Sequence, residues 1–277
     1  MIDGNTKVYG ILGQPVRHSL SPVMQNAAFA AAGLNAVYLP LPVDNIADAI
    51  RGIRALGLAG VSVTIPFKEA VMPYLDSIDA TSRQIGAVNT IKIEETAEGR
   101  FLRGSNTDWV GAVGALREVT ALENKHAVIL GSGGSARAVG FGLLDAGAKV
   151  TLCSRNPDKG QDLASRLRCL WAPLAMVDGL RGDILVNTTP VGMNSDESPV
   201  ESSIPRHYGV VMDIVYSPLH TRLLRDAAMA GCKIIHGLEM LLFQGVAQFE
   251  LWTGKKAPVA VMRQALLSMV EGSEEDK

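Results

Sequence analysis

The chain has 277 residues, enough for two domains at roughly 150 residues each, and 47% of them are hydrophobic, which suits buried parallel strands. Its 26 basic and 28 acidic residues leave a formal charge of −2, so no basic field recommends nucleic acid as a partner. Three cysteines (Cys153, Cys169, Cys232) and five histidines (His18, His126, His207, His220, His236) are too scattered for a disulfide framework or a metal site. They predict reduced, mostly buried thiols, no metal, and a cytoplasmic protein.

No targeting segment or membrane partner is expected. Residues Met1 to Lys7 are polar and lack an apolar signal core. The most apolar long run, Ala27 to Val43, is broken by Gly33, Asn35, Pro40 and Pro42, and reads as helix, turn and strand.

In the first hundred residues, strands are expected at Val8–Leu12, Val37–Leu41, Val61–Thr64, Val88–Ile93 and Phe101–Arg103. Between the first two lies a helix that Ser21 can cap, with Pro22 at its first position and Gly33 at its end. A second helix follows Asp44, with Ile46, Ala49, Ile50, Ile53 and Leu56 along one face. A linking helix starts near Thr107 and carries Trp109, Val113 and Leu116 at helical spacing.

The apolar run His126 to Leu130 then meets Gly131-Ser132-Gly133-Gly134-Ser135-Ala136, followed by a helical stretch from Arg137 to Ala146. Strand, glycine turn and helix in that order form the context of a dinucleotide fingerprint. The next strand, Lys149 to Cys153, ends in Ser154-Arg155-Asn156. An NAD site places an acid here, ~20 residues after the glycines, to hold the ribose 2′-hydroxyl. A hydroxyl, a guanidinium and an amide suit a 2′-phosphate instead, because arginine holds phosphate by paired charge-assisted bonds. The cofactor expected from these residues is NADP. Lys159 reads first as a surface residue at a helix start, with a phosphate contact as its second role.

Further strands at Ile184–Asn187, Val210–Ile214 and Lys233–His236 would complete an open parallel sheet of about six strands, with the ligand at their carboxyl ends. Beyond it, Leu238, Leu241, Leu242, Phe249 and Trp252 form a helical stripe. Pro258 opens another helix, with Val261, Met262, Ala265, Leu266 and Met269. These helices are expected to return to the first domain and leave a cleft between the domains. The last seven residues, Glu271 to Lys277, are expected to fray. The fold class is α/β, with an N-terminal domain formed by residues 1–106 plus 238–277 and a Rossmann-type doubly wound domain over residues 107–237.

The chain resembles the shikimate dehydrogenases over essentially its whole length. The motifs that carry the likeness lie in order: Gly13-Gln14-Pro15, His18-Ser19-Leu20-Ser21-Pro22, Val63-Thr64-Ile65-Pro66-Phe67-Lys68, Gly86-Ala87-Val88-Asn89-Thr90 and Asn106-Thr107-Asp108. The glycine turn follows, then Asn187-Thr188-Thr189-Pro190, Asp213-Ile214-Val215-Tyr216-Ser217-Pro218 and Gly237-Leu238-Glu239-Met240 through Gln244. The resemblance implies NADP-linked interconversion of 3-dehydroshikimate and shikimate in aromatic amino-acid biosynthesis, by a monomer or homodimer.

The resemblance also assigns roles. Lys68 and Asp108 match the catalytic pair, with Lys68 the proton carrier and Asp108 the group that orients it and grips a hydroxyl. Ser19 and Ser21 match the carboxylate-binding serines. Ser21 has helix capping as a competing role, compatible with anion binding at a helix start, and Ser19 has none. Asn89, Gln244, Thr64 and Tyr216 match further substrate contacts. Gly237 and Met240 match positions beside the nicotinamide, although Met240 alone would read as core, and Thr188 matches a position near the cofactor. Ser62 stands where the family often has Asn. The competing readings are a sister enzyme that oxidises quinate with NAD, a non-catalytic sensor of the same fold, and another two-domain amino-acid or folate dehydrogenase.

Overall fold

The computed structural model describes residues 2–275. It forms two compact units, Met1–Thr107 with Gln244–Lys277, and Asp108–Phe243.

The first unit contains β1 (Lys7–Gly13), α1 (Ser21–Ala31), β2 (Ala36–Pro42), α2 (Ile46–Leu56), β3 (Gly60–Val63), α3 (Phe67–Ala70), β4 (Ser77–Ile78), α4 (Ala80–Ile85), β5 (Thr90–Thr96) and β6 (Gly99–Ser105). Its sheet runs β2-β1-β3-β5-β6-β4. β2, β1 and β3 are parallel, and β5 is antiparallel to both β3 and β6. The reversal is a hairpin through Ala97 and Glu98, closed by Gly99 at φ +118. Its ladder pairs Glu94 with Phe101 and Glu95 with Arg100. Both strands therefore outrun the predicted ends: backbone pairing carries polar residues that give no apolar signal.

α1 differs from expectation at its start. Leu20 occupies the cap position with helical backbone angles, and Ser21 is the first helical residue, capping nothing. Ser19 does the nearest equivalent, its Oγ accepting the Ser21 N–H at 3.3 Å. At the far end Gly33, at φ +63, lets the Leu34 N–H reach back to the Phe29 carbonyl at 2.9 Å. α2 is capped by Asn45, whose Oδ1 accepts the Asp48 N–H at 3.1 Å. Its residues Ile46, Ile50 and Ile53 are buried with Val61, Val63 and Ile91. Leu56, predicted on that face, is 80% exposed at the last helical position.

The second unit contains α5 (Asp108–Arg117), β7 (His126–Leu130), α6 (Gly134–Asp145), β8 (Lys149–Ser154), α7 (Pro157–Leu167), β9 (Leu170–Pro173), β10 (Ile184–Asn187), β11 (Val210–Asp213), α8 (Arg222–Met229) and β12 (Lys233–Ile235). Its sheet order is β12-β11-β10-β7-β8-β9, with every pairing parallel. Numbered from β7 this is 3-2-1-4-5-6, the order of doubly wound dinucleotide folds, with its switch point between β7 and β10. β9 had no sequence signal. It is a four-residue edge strand that opens on Leu170, 70% exposed. α6 begins at Gly134, three residues before the predicted Arg137, because glycines without side chains can still close the first turn.

Helix α9 (Gly237–Thr253) is shared: the unit boundary falls after Phe243. Its first turns, with Met240 and Phe243, pack into the core of the second unit. Its later turns pack in the first unit, where the Tyr9, Phe29, Phe249 and Trp252 rings lie 5.0–5.7 Å apart in sequence of contact. Gly60 is obligatory beneath Trp252, since a Cβ there would stand 2.6 Å from the indole. α10 (Val259–Glu275) packs on α1 and stays helical through Glu275, beyond the predicted onset of fraying; residues 276 and 277 lie outside the described residues. Val261 and Met269, two of the apolar residues noted on this helix, are 41% and 45% exposed. Of the thiols only Cys153 is buried, while Cys169 and Cys232 are half-buried. Among the described residues, no helix is long and apolar enough to cross a membrane, and no group of three or more His, Cys, Asp or Glu residues could hold a metal.

Candidate active site

At the end of β7 the chain turns at Gly131, φ +116, a conformation that side chains rarely adopt; a Cβ there would also stand 2.6 Å from Thr188 Oγ1. The Gly131 N–H donates to the Cys153 carbonyl at 2.8 Å, and the Thr188 N–H to the Leu130 carbonyl at 2.9 Å. Thr188 Oγ1 donates to that same carbonyl at 2.5 Å. The glycine turn is thus tied to the carboxyl ends of both β8 and β10, at the switch point. Gly133 caps α6 with extended backbone, and Gly134 and Ser135 open the helix. A Cβ on Gly133 or Gly134 would meet nothing within 4 Å, so the helix N-terminus is open to an anion. A cavity of about 640 Å³ lies here, lined by Gly131, Ser132, Gly133, Ser154, Arg155 and Asn156 among others. Arg155 is exposed and, among the described residues, has no hydrogen bond or ion pair. The cavity lining also includes Glu197; an uncommitted guanidinium at this strand end, where β8 itself contributes no acid, fits a phosphorylated ribose.

The loops after β10 and β11 are clamped together. Asn187 Nδ2 donates to Asp213 at 2.9 Å, while its Oδ1 accepts the Thr189 N–H at 3.0 Å and Thr189 Oγ1 at 2.7 Å. Asp213 also accepts Thr221 Oγ1 at 2.7 Å and the Val215 N–H at 3.0 Å. Burial pushes its carboxyl up to about 6 despite these donors. The clamp fixes the segment carrying Thr188 to the segment carrying Tyr216, whose half-buried phenol is raised by desolvation and stays protonated.

In the first unit the polar residues gather at one edge of the sheet. Ser19 and Ser21 follow β1 and Thr64 follows β3, both at carboxyl ends of parallel strands. Gly13 makes room for Thr64, whose Cγ2 would lie 2.5 Å from a Cβ there. Lys68 sits on α3, and its carbonyl accepts the Val88 N–H at 2.8 Å, which ties the helix to the residue before Asn89. Asn89 is 2% exposed. Its Oδ1 accepts the Thr107 N–H and Thr90 Oγ1, each at 2.7 Å, and its Nδ2 donates to Thr107 Oγ1 at 3.1 Å. Behind it runs a buried chain: Tyr38 Oη donates to Ser62 Oγ (2.6 Å), Ser62 Oγ to Gln248 Oε1 (2.9 Å), and Gln248 Nε2 to Thr90 Oγ1 (2.9 Å).

Comparison with known proteins bears directly on this arrangement. Residues 11–91 match the model of the shikimate dehydrogenase substrate binding domain, and residues 237–267 that of the shikimate 5′-dehydrogenase C-terminal domain. The chain is 44% identical to the shikimate dehydrogenase (NADP(+)) of Methanothermobacter thermautotrophicus, over 96% of this chain and 98% of that one. The chain belongs to the shikimate dehydrogenase family. Among solved structures, a shikimate dehydrogenase in complex with NADP+ superposes with a TM-score of 0.89 at 40% identity, covering 98% of both chains. The enzyme from Thermus thermophilus, in complex with NADP(H) and shikimate, does so with a TM-score of 0.86 at 36% identity, over 94% of this chain and 98% of that one.

Against this family pattern, several residues have local roles that the sequence did not disclose. Ser154 is 4% exposed, its Oγ accepting the Trp171 indole N–H at 3.0 Å and donating to the Asn156 carbonyl at 3.2 Å. Asn156 caps α7, its Oδ1 accepting the Lys159 N–H at 2.9 Å. Lys159 is exposed at the helix start, as predicted. Gly237 is forced, since a Cβ would come within 2.4 Å of the Ile214 carbonyl oxygen, and Met240 is 9% exposed within the apolar core. Gln244 is 7% exposed, on the part of α9 that belongs to the first unit; Asp108 opens α5 in the second. Sequence reasoning missed Trp171 and Gln248, and quoted Thr107 within Asn106-Thr107-Asp108 without a role. Only Gln248 left a signal: it lies one helical turn after Gln244, a second amide on an otherwise apolar helix.

Proposed function

We propose that the chain is a cytoplasmic, NADP-dependent dehydrogenase that interconverts 3-dehydroshikimate and shikimate in aromatic amino-acid biosynthesis. The observation that carries the reading is Arg155, uncommitted at the end of β8 and lining the cavity at the glycine turn. The names of the relatives support it. In this reading Gly131, Ser132, Gly133, Gly134 and Ser135 receive the pyrophosphate at the N-terminus of α6. Arg155 and Lys159 hold the 2′-phosphate, with Ser154 and Asn156 shaping the turn between them. Gly237 and Met240 border the nicotinamide, which when bound supplies the hydride acceptor, and Thr188 lies near the cofactor.

The first unit is then the substrate domain and the second the cofactor domain. Ser19 and Ser21 hold the substrate carboxylate through hydroxyls and backbone N–H groups at the start of α1. Thr64, Asn89, Tyr216 and Gln244 bind ring oxygens. The Asn89 side-chain oxygen Oδ1 is occupied by Thr107 and Thr90, so this side chain serves as a donor toward its ligand. Lys68 takes the hydroxyl proton during oxidation and returns it during reduction, with Asp108 orienting it.

Arg155→Asp tests the reading. Loss of a charge-assisted contact, worth roughly 1.5–3 kcal/mol, weakens NADP use about 10–150-fold and leaves NAD use nearly unchanged. Equal loss with both cofactors would overturn the 2′-phosphate assignment.

A further inference from the structure

We infer that Trp171 is a positioning residue that sets the preference for a 2′-phosphorylated dinucleotide by holding the turn that carries Arg155. The inference rests on the reading of Arg155 as the phosphate ligand.

Arg155 stands between two residues that are fixed. On one side, Ser154 Oγ is held by the Trp171 indole N–H at 3.0 Å and itself donates to the Asn156 carbonyl at 3.2 Å. This single hydroxyl spans the turn from strand to helix. On the other side, Asn156 is locked as the cap of α7 through the Lys159 N–H at 2.9 Å. Trp171 reaches Ser154 from β9, whose register against β8 places Ser154 opposite Pro173 and Leu152 opposite Trp171. The indole and the hydroxyl meet over Gly160 of α7. A Cβ at that glycine would stand 2.1 Å from Trp171 Nε1 and 2.3 Å from Ser154 Oγ. Gly160 is the fourth residue of α7, inside the helix, where glycine is a poor choice by propensity, and the space it leaves is the space this hydrogen bond occupies.

The consequence concerns discrimination, not fold. A flexible arginine loses much of its binding energy when the backbone beneath it is free, because its ordering is then charged to the binding step. An Arg155 turn pinned at both ends removes that cost only for a ligand that touches the guanidinium. A dinucleotide without the 2′-phosphate gains nothing from the pin.

The test uses the full-length protein and measures dissociation constants for NADP and NAD separately, together with melting temperature. Trp171→Phe keeps the ring and removes the indole N–H donor; Ser154→Ala removes the acceptor; Gly160→Ala displaces both groups. Trp171→Phe is expected to weaken NADP binding roughly two- to tenfold, the range for one hydrogen bond, and the other two at least as much, since Ser154→Ala also removes the bond to the Asn156 carbonyl, with NAD binding unchanged. The Trp171→Phe/Ser154→Ala double variant is expected to be no weaker than the worse single one, since both remove the same bond. Parallel losses for NADP and NAD, additive single effects, or unaltered NADP affinity in the folded Trp171→Phe protein would each overturn the inference. Arg155→Ala is the separate control. If it leaves the NADP-to-NAD ratio intact, the phosphate reading fails together with the inference. If it collapses the ratio while Trp171→Phe does not, the positioning role alone fails.

Discussion

Reduction of a ketone delivers hydride to carbon and a proton to oxygen, and the proposed proton carrier is Lys68, on the short helix α3. Lys68→Met keeps most of the side-chain length and removes the ammonium. It is expected to lower kcat roughly 10²–10⁴-fold, the usual worth of general acid–base catalysis, with the NADP dissociation constant unchanged. Steady-state kinetics paired with cofactor titration checks this, and retention of kcat within a few-fold would make Lys68 a bystander. Asp213 makes a second residue-level prediction. Its folded carboxyl lies near 6, above the ordinary 3.8, through burial. A raised carboxyl means the native state binds the proton more tightly than the unfolded chain. The group's stabilising contribution is therefore full at low pH and is lost as pH climbs from about 4 through 6. Wild type should gain on the order of 2–3 kcal/mol relative to Asp213→Asn between pH 7 and 4, at 1.36 kcal/mol per pH unit of displacement. Urea unfolding across that range measures it, and a pH-independent difference between the two proteins would show that the buried carboxyl does not titrate.

At the level of elements, the strand–glycine–helix passage at β7 and α6 was legible because each part has its own signal: an apolar run, a glycine cluster and a helix-forming stretch. The position of Arg155 at the end of β8 was legible for the same reason, being a fixed place in that unit. What escaped were features made only by pairing. The outer halves of β5 and β6 are polar, β9 is a short edge strand, and Ser19 rather than Ser21 engages the start of α1. The polar chain from Tyr38 through Ser62 and Gln248 to Thr90 joins β2, β3, α9 and β5, and no local pattern encodes it. It also explains how Ser serves where the family often has Asn: the hydroxyl both accepts and donates inside the sheet. Ser62→Ala leaves the Tyr38 hydroxyl and the Gln248 carbonyl oxygen buried without this partner, at about 1–3 kcal/mol each. A drop in thermal stability is expected, smaller in the Tyr38→Phe background, where one of the two orphaned groups is gone. A drop of equal size in both backgrounds would mean that the chain does not act as a unit.

For the whole molecule, the proposed reading assigns a separate task to each of the two units. The Rossmann order of the second unit places the glycine turn at its switch point and Arg155 at the end of the adjacent strand β8, and the first unit gathers Ser19, Thr64, Lys68 and Asn89 at one edge of its mixed sheet. Cofactor binding to the native state alone should raise the unfolding free energy by about 2.7 kcal/mol at a hundredfold excess over the dissociation constant. NADP should therefore lift the melting temperature at concentrations where NAD does not. The measurement that tests the central claim most directly follows reduced-nicotinamide absorbance in four mixtures of the purified protein: shikimate or quinate, each with NADP or NAD. Shikimate with NADP is expected to react fastest by a wide margin, with Lys68→Met as the inactive control. Turnover that favours quinate with NAD, or no turnover of shikimate by protein that binds NADP, would contradict the account.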